Sequence, residues 1–125
     1  MAYVDKVQEL RAKDSNCCQA VFCCCCDKFP ISEELAWQIA AFFGGGMRRH
    51  EVCGAVTGAL MGLGLKYGDE NNRECERSKE FMDLFEKEFG SIFCRDLIKV
   101  EGKEERELCP DYMFYAAKFL EDEFK

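Results

Sequence analysis

Apolar residues recur at helical spacing in almost every segment of the chain, and nowhere do they alternate in the two-residue rhythm of a half-buried strand. Val4, Val7 and Leu10 share a face within residues 3–13, which predicts a first helix. Asp14, Ser15 and Asn16 then supply a run of capping side chains, so a second helix is expected from Cys17 to about Phe29. After Pro30, the positions of Leu35, Ile39, Phe42 and Phe43, with Trp37 on the flank, predict a third helix closed by Gly44-Gly45-Gly46. Gly54, Gly58 and Gly62 recur every four residues within 52–65 and so line one stripe of a helix. Glycine costs about 1 kcal/mol against alanine at such positions. A stripe that unfavourable implies close backbone packing, with Val56, Leu60, Met61 and Leu63 filling the adjacent space. The same spacing joins helices in membranes, but the flanks and length of this segment are those of a water-exposed protein.

Residues 66–72 read as a turn-rich loop, and 74–89 as a charged helix with Phe81, Leu84, Phe85 and Phe89 inward. Beyond Gly90-Ser91, residues 94–100 read as a short helix and 101–108 as a charged link with some helical character. Pro110 stands where a first helical turn tolerates it, ahead of a closing helix to Phe124. The expected fold is therefore all-α: one domain over residues 1–125, a compact bundle of six or seven helices around the glycine-striped one.

Charge narrows the function more than composition does. Twenty-four acidic against 17 basic residues leave a net charge of −7, and the only basic cluster is Arg48-Arg49-His50, which argues against a nucleic-acid partner. The first segment carries Asp5, Lys6, Glu9, Arg11 and Lys13, so it lacks the apolar centre of an export signal. No uncharged apolar run reaches the roughly 18 residues of a membrane span. A cytoplasmic protein is expected, without membrane insertion, and homodimer formation is left open. Stable structural disulfides are uncommon in that compartment, so ten cysteines point to buried thiols, metal ligation or redox work.

Six of the ten lie between residues 15 and 27. At about 100° per residue, Cys23, Cys24, Cys25 and Cys26 point in four directions around a helix, and only Cys23 and Cys26 could share an ion. A CxxC pair used for thiol exchange normally opens a helix, whereas this one is mid-helix. The run therefore reads as core packing, cysteine acting as a small hydrophobe. Cys17, Cys53, Cys94 and Cys109 differ: each falls at a predicted helix start, where unpaired amides and the positive end of the helix dipole favour thiolate over thiol. His50, three residues from Cys53, reads mainly as a solvent-facing loop residue, with a ligand or proton-donor role as the rival. Gly44-Gly45-Gly46 is a helix stop, since no strand precedes it and no GK[ST] follows.

The blocks NCCQAV, FFGGG, CGAVTGALMGLGLKYG, FGSIFCRDL and LCPDYMFYAAKFLED, in this order, resemble the redox-active protein family named for its pattern C_GCAxxG_C_C. The likeness runs from about Tyr3 to Phe124, and CGAVTG is its most specific block. Carried over residue by residue, the family's four cysteines fall on Cys17, Cys53, Cys94 and Cys109. Cys18, Cys23 to Cys26 and Cys75 fall where the pattern asks for none. The resemblance implies a small cytoplasmic bacterial protein, redox-active through those four thiols.

Three functions remain in view. In the first, pairs among the four cysteines cycle between dithiol and disulfide with a redox partner protein or a small thiol, Cys53 being the expected nucleophile because Gly54 and Ala55 leave its sulfur accessible. In the second, the same four hold zinc or an iron–sulfur cluster. In the third, the cysteines are inert and the protein is structural or binds a partner.

Overall fold

The computed structural model describes residues 2–69 and 76–125; Cys75 and the expected helix start at Glu74 lie outside them. The described residues form seven α-helices: α1 (Tyr3–Arg11), α2 (Cys17–Cys25), α3 (Glu33–Ile39), α4 (Gly54–Tyr67), α5 (Arg77–Phe89), α6 (Cys94–Leu97) and α7 (Cys109–Glu123). Among these residues the only β-type pairing is a single isolated bridge. No helix among them is long and apolar enough to cross a membrane. The architecture is all-α, as expected.

α2 begins at Cys17 because Asn16 and Gln19 cap it reciprocally. The Asn16 side chain accepts from the Gln19 amide at 2.8 Å, and the Gln19 side chain accepts from the Asn16 amide at 2.9 Å. α2 and α4 pack most extensively against each other, and the glycine stripe is what lets them. A Cβ on Gly58 would stand 2.8 Å from the Cys18 carbonyl oxygen, and one on Gly62 would stand 3.0 Å from Cys25 Sγ. α7 lays Ala116, Ala117 and Leu120 on this pair, while α5 adds Phe81 and Phe85 to an aromatic cluster with Phe119 and Tyr112.

Five helices depart from the sequence reading. α2 ends at Cys25 and tightens into a 3₁₀ turn, Cys26–Lys28. α3 is short, and it is turned so that Ala36 and Ala40 face inward while Leu35, Ile39 and Phe42 are 48%, 47% and 70% exposed. The cause is a polar clamp: Asn16 donates to the Ala40 and Ala41 carbonyls, and Gln19 donates to the Trp37 carbonyl. Drawn that close to α2, the helix admits only alanine at the contact. On α5, Leu84 is 44% exposed, being about 100° from the middle of the arc made by Phe81, Phe85 and Phe89. α4 runs on through Lys66 and Tyr67 instead of turning there, since both side chains donate to Glu123 of α7. α6 stops at Leu97, and residues 101–108 form turns, not a helix.

Candidate functional site

Cys17 is the first residue of α2, Cys94 of α6 and Cys109 of α7, and Cys53 caps α4. These four helix starts meet at one place. Their cysteines line a single small cavity of about 20 Å³, together with Arg106 and Tyr112. The four sequence-predicted site residues are thus together, although 36 or more residues separate Cys17 from each of the others.

Local backbone structure explains the convergence. Residues 51–53 and 92–94 pair as a minimal antiparallel bridge: Cys53 donates its amide to the Ile92 carbonyl at 2.8 Å, and Cys94 donates to the Glu51 carbonyl at 2.6 Å. The bridge pairs Val52 with Phe93 and leaves Cys53 and Cys94 diagonal to one another across it. Cys17 reaches them because residue 54 has no side chain, for a Cβ on Gly54 would overlap the Cys17 sulfur. Gly46 does the same for Cys94, whose Cβ would stand 2.7 Å from a Cβ at 46. The chain arrives at this bridge through a left-handed turn in which Gly45, Gly46, Met47 and Arg48 all have φ between +59° and +65°. The two glycines adopt it freely, whereas Met47 and Arg48 each sacrifice about 1 kcal/mol. The glycines at 44–46 do not stop α3, which ends at Ile39. Gly44 clears space for the Asn16 side chain, Gly45 and Gly46 turn the chain left-handed, and Gly46 and Gly54 clear space for Cys94 and Cys17.

Access is unequal. Cys53 and Cys94 are only 7% and 5% exposed, whereas Cys17 and Cys109 are half-buried. The expectation of an accessible Cys53 is thereby corrected. Small neighbours at 54 and 55 do not open its sulfur to solvent; Gly54 instead makes room for the Cys17 sulfur. A second hollow, a surface cleft of about 290 Å³, reaches Cys17 and Cys109 from outside.

Electrostatics follows the same geometry. Burial pushes the Cys53 thiol up to about 12, and the charge of a Cys17 thiolate adds to this, while the amides of Ala55 and Val56 act on its sulfur in the opposite sense. Burial also raises the Cys94 and Cys109 thiols, but the positive charge of the nearby Arg106 guanidinium opposes the shift. Cys17 adds to the raising of all three partners, so its charge state is felt throughout the cluster. Tyr112 closes the inner wall, its hydroxyl donating to the Leu97 carbonyl at 2.8 Å.

Arg106 was not visible to sequence reasoning. It belongs to a charged run that reads as solvated, and its backbone is held at φ +65° by an amide bond to the Ile98 carbonyl, eight residues back. His50 is exposed and lies outside the cavity, its Nε2 3.4 Å from an Arg106 nitrogen. The Cys23–Cys26 run is buried in the core, away from the site. The thiols of Cys24, Cys25 and Cys26 donate to carbonyls three residues back, at 3.0 to 3.3 Å. Burial pushes Cys23 and Cys25 up to about 12 and Cys24 well above its ordinary range.

Among the described residues, no three His, Cys, Asp or Glu side chains stand in an arrangement that would hold a metal ion. A family model described as "Putative redox-active protein (C_GCAxxG_C_C)" matches residues 15–123 of the chain. No curated protein and no solved structure matches it.

Proposed function

The chain belongs to the C_GCAxxG_C_C family, and we propose on that premise that Cys17, Cys53, Cys94 and Cys109 carry a dithiol–disulfide redox function. The observation behind this reading is the meeting of four helix-start cysteines at one cavity that Arg106 also lines. Helix starts and a cation both act toward thiolate, the form that attacks disulfides, against the burial that raises Cys53, Cys94 and Cys109. Half-buried Cys17 is the attacking sulfur and half-buried Cys109 its resolving partner. Cys53 and Cys94, both buried and each flanking the backbone bridge, form the inner pair. Oxidation of either pair forms one S–S bond and passes two electrons to the acceptor, with release of two protons.

The zinc or iron–sulfur alternative draws on the same four residues and would put a cation where Arg106 already supplies one. Thiol exchange suits that arrangement better. Reduced protein under mild oxidation should lose thiols in steps of two. Cys17→Ser should abolish the first step, whereas Cys24→Ser should leave it intact. Colorimetric thiol counting on the folded and then the denatured protein reads both variants. An undiminished thiol count in the wild type, or an unchanged first step in Cys17→Ser, would contradict the proposal.

A further inference from the structure

The surface cleft of about 290 Å³ shares Cys17, Gly45, Arg106 and Cys109 with the buried cavity, so it connects solvent to the two accessible sulfurs. Its lining includes Arg11 and Arg106 and no carboxylate, although the chain as a whole carries a net charge of −7. Arg11 is pinned by a hydrogen bond to the Ser15 carbonyl. Arg106 lines both hollows, stands 3.4 Å from His50 Nε2 and favours the charged form of Cys94 and Cys109. Each guanidinium has five N–H donors in a planar fork, so donors remain on both for an incoming carboxylate. Pro110 and Met113 give the cleft an apolar wall that suits a short methylene chain. Its volume is at the lower end of small-molecule sites and is small for a docked protein segment.

We infer that this cleft takes a low-molecular-weight disulfide bearing carboxylates, which the two arginines hold with its sulfurs toward Cys17 and Cys109. The inference rests on the thiol-redox reading above and adds a substrate class to it. The Cys17 thiolate attacks one sulfur of RS–SR, the S–S bond breaks, and RS⁻ leaves to take a proton from solvent. The Cys109 thiolate then attacks the Cys17 sulfur of the mixed disulfide, forming Cys17–Cys109 and releasing the second RS⁻. Two protein thiols are oxidised and one RSSR is reduced to two RSH. In reverse, two carboxylate-bearing thiols reduce the protein disulfide.

The test uses the fully reduced, full-length protein with three disulfides: anionic 3,3′-dithiodipropionate, neutral bis(2-hydroxyethyl) disulfide and cationic cystamine. The anionic compound should oxidise the protein about tenfold faster than the neutral one, cystamine should be slowest, and high salt should compress the ratio. Arg11→Gln should lower the anionic-to-neutral ratio about threefold or more, and Arg11→Lys should recover part of it. The salt dependence, read on wild type, keeps the test independent of how well a variant folds. Equal rates for the three compounds, or an unchanged ratio in Arg11→Gln, would overturn the substrate class while leaving the redox reading intact. Failure of all three to oxidise the protein would overturn both.

Discussion

A methyl group at position 54 would occupy the space the Cys17 sulfur fills, whereas one at position 64 would meet nothing within 4 Å. Two substitutions of the same chemistry should therefore have opposite effects. Gly54→Ala should destabilise the fold by about 1–3 kcal/mol through overpacking, and it should displace the attacking sulfur. Gly64→Ala should stabilise it by up to about 1 kcal/mol through helix propensity alone. Urea unfolding gives both signs, and thiol-exchange rates should fall only in Gly54→Ala. The four-residue spacing made the stripe legible as a close-packing surface. It did not show that the first glycine meets a sulfur and the second a carbonyl, because that depends on the register of α2 against α4. Arg106 was less legible still, since its approach to Cys94 and Cys109 is set by the path of residues 98–108 and by no local pattern.

α2 shows at the scale of an element how a run of cysteines behaves as core. Thiols pointing in four directions could be read from helical geometry, and the structure buries all four. That burial has a consequence for pH. The Cys18, Cys23, Cys25 and Cys53 thiols are raised from 9.0 to about 12, so the folded state keeps its protons where the unfolded chain has lost them. Their contribution to stability is fully present below about pH 9 and is lost as pH rises toward 12, at about 1.4 kcal/mol per thiol per pH unit. The thermal midpoint should accordingly be flat from neutrality to about pH 8.5 and fall steeply above 9, and Cys25→Ala should soften that fall. A midpoint indifferent to pH across this range would contradict the account. α3 carries the opposite lesson. Its larger apolar residues suggested an inward face, yet Asn16 and Gln19 draw its alanine side onto α2 and leave Leu35, Ile39 and Phe42 outside. A clamp formed across more than fifteen residues leaves no periodic trace on the helix it rotates.

For the molecule as a whole, the bundle gathers four helix starts at one point and leaves the cysteine run in its core. Helix-start positions and the family resemblance, which the matched residues 15–123 bear out, made the four cysteines legible as a set. Their division into a half-buried and a buried pair was not legible, because exposure depends on how α2 and α7 cover α4 and α6. This division should order the chemistry, and disulfide mapping by mass spectrometry reads that order. Reduced protein, purified without oxygen, is titrated with a mild oxidant, quenched with alkylating agent and digested. A Cys17–Cys109 disulfide should form first and Cys53–Cys94 second, with Cys23, Cys24, Cys25 and Cys26 alkylated as free thiols throughout. Early disulfides within the Cys23–Cys26 run, or four site cysteines still reduced after the run has oxidised, would contradict it.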